Sequence, residues 1–118
     1  SIDHLVDRSR LTSVLDHLLQ NAIEAAGVGG AVALRQRLQG REMFIEVEDN
    51  GPGMNSEYIE NGLFRPLDSK KSSGYGLGAY QTRQLVREMG GRLEVNSEVG
   101  RGTVMRVVLP VMEGLGVA

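Results

Sequence analysis

Apolar residues recur at helical spacing from the start of the chain: Leu11, Val14, Leu15, Leu18, Leu19, Ala22, Ile23 and Ala26 share one face of a 3.6-residue period. Asp7 or Ser9 can cap such a helix and Gly27 can stop it, so the pattern predicts a helix over about 9–26. After the glycine turn at 27–30 the period changes. Residues 31–38 read as a strand, the 39–41 turn is tight, and Met43-Phe44-Ile45-Glu46-Val47-Glu48 reads as its hairpin partner, apolar and acidic positions alternating. Residues 56–61 suggest a short helix. A second amphipathic helix runs from Leu77 through Leu85 and Val86 to Met89, ended by the Gly90-Gly91 pair. Residues 92–96 and 103–109 alternate as two further strands around a turn holding Gly100 and Gly102.

Between the short helix and the second long one, residues 62–78 carry little periodicity. A loop of that length inside a compact domain is uncommon unless it is functional or disordered. Paired strands that follow one another through short turns make a mixed, mostly antiparallel sheet, with the helices gathered on one face. The expected fold is therefore an α/β two-layer sandwich.

At 118 residues the chain suits one domain spanning 1–118, and its 41% hydrophobic and 24% charged residues are ordinary for a globular protein. A net charge of −2 without a concentrated basic run gives no reason to expect a nucleic-acid partner. No cysteine means no disulfide and no thiolate metal site, which fits a cytoplasmic setting, and two histidines make a zinc site a poor expectation. No apolar run reaches the ~20 residues that span a bilayer and no signal peptide opens the chain, so no direct membrane contact is expected.

Several places carry candidate chemistry. Asp49 stands at a strand end and is followed by Asn50-Gly51-Pro52-Gly53, where two glycines flank a proline of fixed φ. Such a turn lets the main chain approach a flat ligand, and a carboxylate there can accept a hydrogen bond from an exocyclic amine; the plainer alternative is an ordinary turn. Asn21, on the first helix, offers an amide oxygen to a hard cation such as Mg²⁺, which takes few protein ligands when phosphates and water supply the rest; otherwise it is a solvent-facing helical Asn. Gly74-Tyr75-Gly76-Leu77-Gly78 opens the second long helix, where free N–H groups and the helix dipole suit phosphate oxygens. It does not follow a strand and no Gly-Lys-Ser/Thr comes after it, so neither a dinucleotide-binding turn nor a P-loop fits. Lys70 and Lys71 can neutralise phosphate, or be solvated loop lysines. Gly100-Arg101-Gly102-Thr103 can close a pocket floor or simply turn a hairpin, and Phe64-Arg65-Pro66-Leu67 can anchor a loop or fill core.

In order and spacing these segments resemble the catalytic, ATP-binding domain of sensor histidine kinases, within the wider Bergerat-fold family of gyrase, Hsp90-type chaperones and MutL. The matches are an N box around Asn21, a G1 box at 49–53, an F box at 64–67, a G2 box at 74–78 and a G3 box at 100–103, with Asp7-Arg8-Ser9-Arg10-Leu11 as lead-in. The resemblance spans about residues 7–110, and chance agreement of five ordered boxes is remote. It implies ATP and Mg²⁺ as ligands, Asp49 on the adenine amino group, Asn21 on the magnesium at the phosphates, and 62–76 as an ATP lid. The implied nucleotide contacts are Asn21, Asp49, Gly51, Gly53, Lys70, Lys71, Gly74, Tyr75, Gly76, Leu77, Gly78 and Thr103. The runs 64–71 and 78–81 look most like sensor kinases of PEP-CTERM protein-sorting systems.

One helical turn before Asn21, where histidine kinases of the family usually carry a second Asn and the hydrolysing relatives a general-base Glu, this chain has His17. Positions 17 and 21 share a helix face. His17 is accordingly a second candidate catalytic position beside Asn21, able to assist proton transfer or merely to hydrogen-bond and fill space. The resemblance further implies partners outside the chain: a dimerisation domain bearing the phosphoacceptor histidine and, downstream, a response regulator. A phosphoacceptor of the family is typically followed by Glu or Asp, whereas His4 is followed by Leu5 and His17 by Leu18, and neither has the preceding helical hairpin, so a fragment that binds ATP and scarcely autophosphorylates is expected. The alternatives are an ATPase module of the gyrase or MutL kind, and a non-catalytic nucleotide-binding module of the degenerate-kinase or anti-sigma kind.

Overall fold

The computed structural model describes residues 7–66 and 78–111. Helix α1 spans Arg8–Ala26, and Asp7 caps it by accepting the Arg10 N–H at 3.0 Å, which settles the choice between Asp7 and Ser9. It ends at Gly27, whose φ of 69° lies where only glycine is at ease. Strand β1 (Val32–Gln39) and strand β2 (Glu42–Asp49) form the expected hairpin. The short helix begins as expected, with α2 at Ser56–Tyr58 capped by Asn55, but continues as a π-turn over Ile59–Leu63. There the Tyr58 ring fills the space that a side chain at Gly62 would take, a Cβ at 62 falling 2.7 Å from Tyr58 Cδ1. Helix α3 covers Ala79–Glu88, two residues shorter at its start than the periodicity suggested, and strands β3 (Arg92–Glu98) and β4 (Gly102–Pro110) complete the order.

The four described strands lie in the order β1-β2-β4-β3, and every neighbouring pair is antiparallel, so the parallel component of the expected mixed sheet is absent among the described residues. Because side chains alternate, Ile45, Val47 and Asp49 of β2 share a face with Thr103, Met105, Val107 and Leu109 of β4. Against that face pack Val14, Leu18 and Ala22 of α1 and Val86 of α3, making one apolar core. Arg10 Nε donates to Glu88 at 2.9 Å and ties the two helices side by side. The opposite face is ionic: Glu46 sits between Arg35 and Arg106, and Arg106 reaches on to Glu94. Phe44 breaks the apolar–acidic alternation, and the Arg37 guanidinium covers its ring at 4.3 Å. The helices cover β2 and β4 more than the outer strand, leaving Val32, Leu34 and Leu38 of β1 exposed.

The consequence for the site is positional. The buried row of β2 ends in a carboxylate, Asp49, where the buried stripe of α1 passes beside the half-buried Asn21.

Candidate functional site

A cleft of about 250 Å³ opens between the C-terminal half of α1, the ends of β2 and β4, and the π-turn. Leu18, Ala22, Val47 and Met105 form an apolar floor continuous with the core, and Pro52, Gly53, Met54, Tyr58 and Leu63 form one wall. Its polar side chains are Asn21, Asp49, Tyr58 and Thr103. A mostly apolar cavity with a few convergent polar groups is the expected form of a small-molecule site.

Asp49 is 8% exposed. The Gly51 N–H donates to Asp49 Oδ1 at 2.9 Å, so one carboxylate oxygen is taken by the turn and the other has no partner among the described residues. The turn that makes this bond needs its glycines. A Cβ on Gly51 would stand 2.5 Å from the Ala25 carbonyl oxygen of α1, and one on Gly53, at φ 73°, would stand 2.1 Å from the Glu98 carbonyl oxygen. Gly100 N–H donates to the Pro52 carbonyl at 2.8 Å, which pins this turn to the β3–β4 turn. Asn50 ties it to the head of β1, its Oδ1 accepting the Ala31 N–H at 2.9 Å.

Thr103 pairs with Asp49 across β2 and β4 and is 8% exposed. Its hydroxyl lies 2.7 Å from Ser97 Oγ. Ser97 Oγ donates to the Gly102 carbonyl at 3.0 Å and accepts the Met54 N–H at 2.8 Å. With the one serine proton committed, the proton between the two hydroxyls comes from Thr103, and Thr103 presents only lone pairs to the cleft. The closed end therefore offers acceptors alone, a carboxylate oxygen and a hydroxyl oxygen. It suits a flat ligand that brings N–H donors.

Asn21 lines the cleft on the α1 side. Its Nδ2 lies 3.0 Å from His17 Nε2, one turn earlier, and its Oδ1 has no hydrogen-bond partner among the described residues. An unengaged amide oxygen at the cleft is the type of donor that a hard cation takes. Among the described residues there is no group of three His, Cys, Asp or Glu that could hold a metal ion. His17 is 7% exposed and does not line the cleft.

The structure thus brings Asn21, Asp49, Gly53 and Thr103 to one cavity, with Gly51 behind Asp49. Gly78 caps α3 away from the lining, its N–H donating to Gln81 Oε1 at 3.2 Å. Lys70, Lys71, Gly74, Tyr75, Gly76 and Leu77 lie outside the described residues, as does most of the expected lid. The sequence reading missed Ser97, because it ended the third strand at Asn96; carried one step further, the alternation of Leu93 and Val95 places Ser97 on the inner face. It also missed the wall residues Met54, Tyr58 and Leu63, which no spacing rule singles out.

The family model described as histidine kinase-, DNA gyrase B-, and HSP90-like ATPase matches residues 6–113. The alginate biosynthesis sensor protein KinB of Pseudomonas aeruginosa is 36% identical over 109 residues, covering 90% of this chain and 18% of KinB. Sporulation kinase C of Bacillus subtilis is 34% identical over 105 residues, 89% of this chain and 24% of the relative. This chain therefore spans less than a quarter of either. Among solved structures, the catalytic domain of histidine kinase ThkA superposes with a TM-score of 0.77 at 30% identity, covering 89% of this chain and 68% of that one. ThkA in complex with the response regulator protein TrrA gives 0.75 at 27%, covering 91% and 30%.

Proposed function

Since the chain belongs to the histidine kinase-, DNA gyrase B- and HSP90-like ATPase family, as the ATP-binding catalytic domain of a sensor histidine kinase, we propose that its cleft holds ATP by the base at Asp49 and by a magnesium-linked phosphate tail at Asn21. The observation that carries this reading is that both side chains open into one cavity with an apolar floor between them. The adenine amino group donates to the Asp49 oxygen that has no partner among the described residues, and Thr103 accepts a second donor or a bridging water. Gly51 and Gly53 let the chain approach the ring. A guanine would turn a carbonyl oxygen toward an end that offers acceptors only, and is rejected.

Asn21 Oδ1 would hold magnesium together with phosphate and water oxygens, and the ion would supply charge neutralisation at the phosphates. Lys70, Lys71 and the glycines at 74–78 are assigned to the phosphates by sequence position. Residues 1–118 form one catalytic domain of a longer protein, working in the cytoplasm where ATP is. The described residues include no helix long and apolar enough to cross a membrane. The phosphoacceptor is a histidine on the dimerisation domain of the same kinase, and a response regulator receives the phosphoryl group in turn; that the similar ThkA forms a complex with the response regulator TrrA supports a partner of this kind. The protein's part is positioning and electrostatics, which accords with the scarcity of nucleophiles around the cleft. The finer likeness to PEP-CTERM sensor kinases rests on the runs 64–71 and 78–81, and neither relative named above is described in those words.

Calorimetric titration tests the site. ATP binds more tightly with Mg²⁺ than without, GTP binds poorly, and Asp49→Asn weakens ATP by about 10- to 150-fold, the worth of one charge-assisted hydrogen bond. ATP affinity unchanged by Asp49→Asn would overturn the assignment of the base. Adding the dimerisation domain in trans then decides the reaction: phosphohistidine supports the kinase, free phosphate an ATPase, and neither product a binding module.

A further inference from the structure

We propose that His17 is a positioning residue, whose imidazole fixes which end of the Asn21 amide faces the cleft. The inference rests on the magnesium reading of Asn21 and goes beyond it. An amide NH₂ group can only donate, so the 3.0 Å contact between Asn21 Nδ2 and His17 Nε2 requires Nε2 to be the accepting, unprotonated nitrogen. The ring is then neutral with its proton on Nδ1. The two ends of an Asn amide are nearly equal in shape, and its terminal torsion has two comparable wells. No other hydrogen bond among the described residues engages either end of this amide, so the imidazole selects between them.

The geometry suits that role better than a direct one. His17 is 7% exposed, sits one turn behind Asn21 on the buried stripe of α1, and is absent from the cleft lining. A general base has to reach the proton it removes, and here Nε2 is spent on Asn21. An orienting partner behind a ligand atom is how proteins commonly prepare metal donors. Turned the other way, the amide would present NH₂ to the cation and no ligand atom at all.

The experiment uses the protein alone and a metal titration. Nitrogen NMR of the ligand-free protein is expected to show His17 as the neutral Nδ1–H tautomer, with a through-space contact between its ring and the Asn21 NH₂ group. Calorimetry then compares ATP affinity with and without Mg²⁺. His17→Leu leaves the amide to sample both orientations and reduces the magnesium enhancement by up to about twofold, as the competent fraction falls toward one half. Affinity measured in EDTA is unchanged, and His17→Gln, whose Oε1 can accept from the amide at the same spacing, restores part of the enhancement. An Nε2–H tautomer, or a full magnesium enhancement in a folded His17→Leu protein, overturns the proposal. Failure of the underlying reading is distinguishable: Asn21→Ala would then also keep the full enhancement.

Discussion

A methyl group placed on Gly102 would stand 2.0 Å from the carbonyl oxygen of Asp49. The G3 turn is thus pressed against the backbone of the residue assigned to the base, and the glycine there serves close approach as well as its φ of 124°. Gly100, two residues earlier at φ 87°, meets nothing within 4 Å. Gly102→Ala is therefore expected to cost distinctly more than the ~1 kcal/mol scale of an ordinary glycine replacement, and to displace the Asp49 end of β2. Gly100→Ala has the backbone strain alone. Denaturation midpoints of the two variants, with ATP titrations, check the difference; equal losses would remove the steric argument.

Ser97 joins three groups: the Gly102 carbonyl, the Met54 N–H and the Thr103 hydroxyl. Ser97→Ala orphans the Met54 N–H and releases the Thr103 proton, at a cost of about 1–3 kcal/mol if the amide stays buried. Thr103 is then free to donate into the cleft. The expected signature is a narrower gap between ATP and GTP affinities, GTP gaining relative to ATP. A gap unchanged in a folded variant would mean that the hydroxyl chain does not set base preference.

What could be read in advance follows from what alternation and helical period encode. Asp49 was legible because it ends a strand of clear period two, and Asn21 because it follows Leu18 on an amphipathic helix. Their meeting in space was available only through the ordered set of boxes, since periodicity gives faces and not distances. Ser97 was lost to a strand boundary drawn two residues early, and the π-turn to a local packing event, the Tyr58 ring over Gly62, that no propensity records. The antiparallel order β1-β2-β4-β3 of the described strands depends on which hairpins sit side by side, a tertiary matter.

Glu46, on the face away from the helices, accepts from Arg106 Nε at 2.5 Å and from Arg35 Nε at 3.2 Å. The Arg106 bond, with that of Arg35, outweighs burial and holds the carboxyl below the usual glutamate value of 4.5. A depressed folded-state value adds stability that is fully present above about pH 4.5 and is lost as the pH falls through the lower folded value. Glu46→Gln should therefore be less stable than the parent at pH 7, by about 1–2 kcal/mol. The two stabilities should converge as the pH drops below 4.5. Urea midpoints across that range are the check, and a constant difference would show that the loss is one of packing.

Leu18 is 1% exposed and serves core and cleft floor together. Leu18→Ala is expected to cost about 2–5 kcal/mol, since the removed carbons lose their burial and leave a void the sheet cannot close. A ligand whose ring fills part of that void should lose less affinity than the stability change suggests, so the shift in unfolding temperature produced by saturating ATP stays comparable to that of the parent. Thermal unfolding with and without ATP measures both numbers. A ligand-induced shift abolished in a still-folded variant would place the floor among the determinants of binding.

Arg83 of α3 lies over the Phe64 ring, its guanidinium carbon 4.3 Å from the centroid, and its buried Nε has no hydrogen-bond partner among the described residues. The contact joins the F-box residue on one side of residues 67–77 to the helix on the other. A desolvated contact of this kind is worth about 0.5–2 kcal/mol. Arg83→Met keeps the apolar stem and removes the charge; Phe64→Leu keeps bulk and removes the ring. Each is expected to lower stability, and the double variant should lose less than the sum by roughly the contact's own worth. Strict additivity in urea unfolding would show that stem packing alone, with no attraction between charge and ring, joins the two segments.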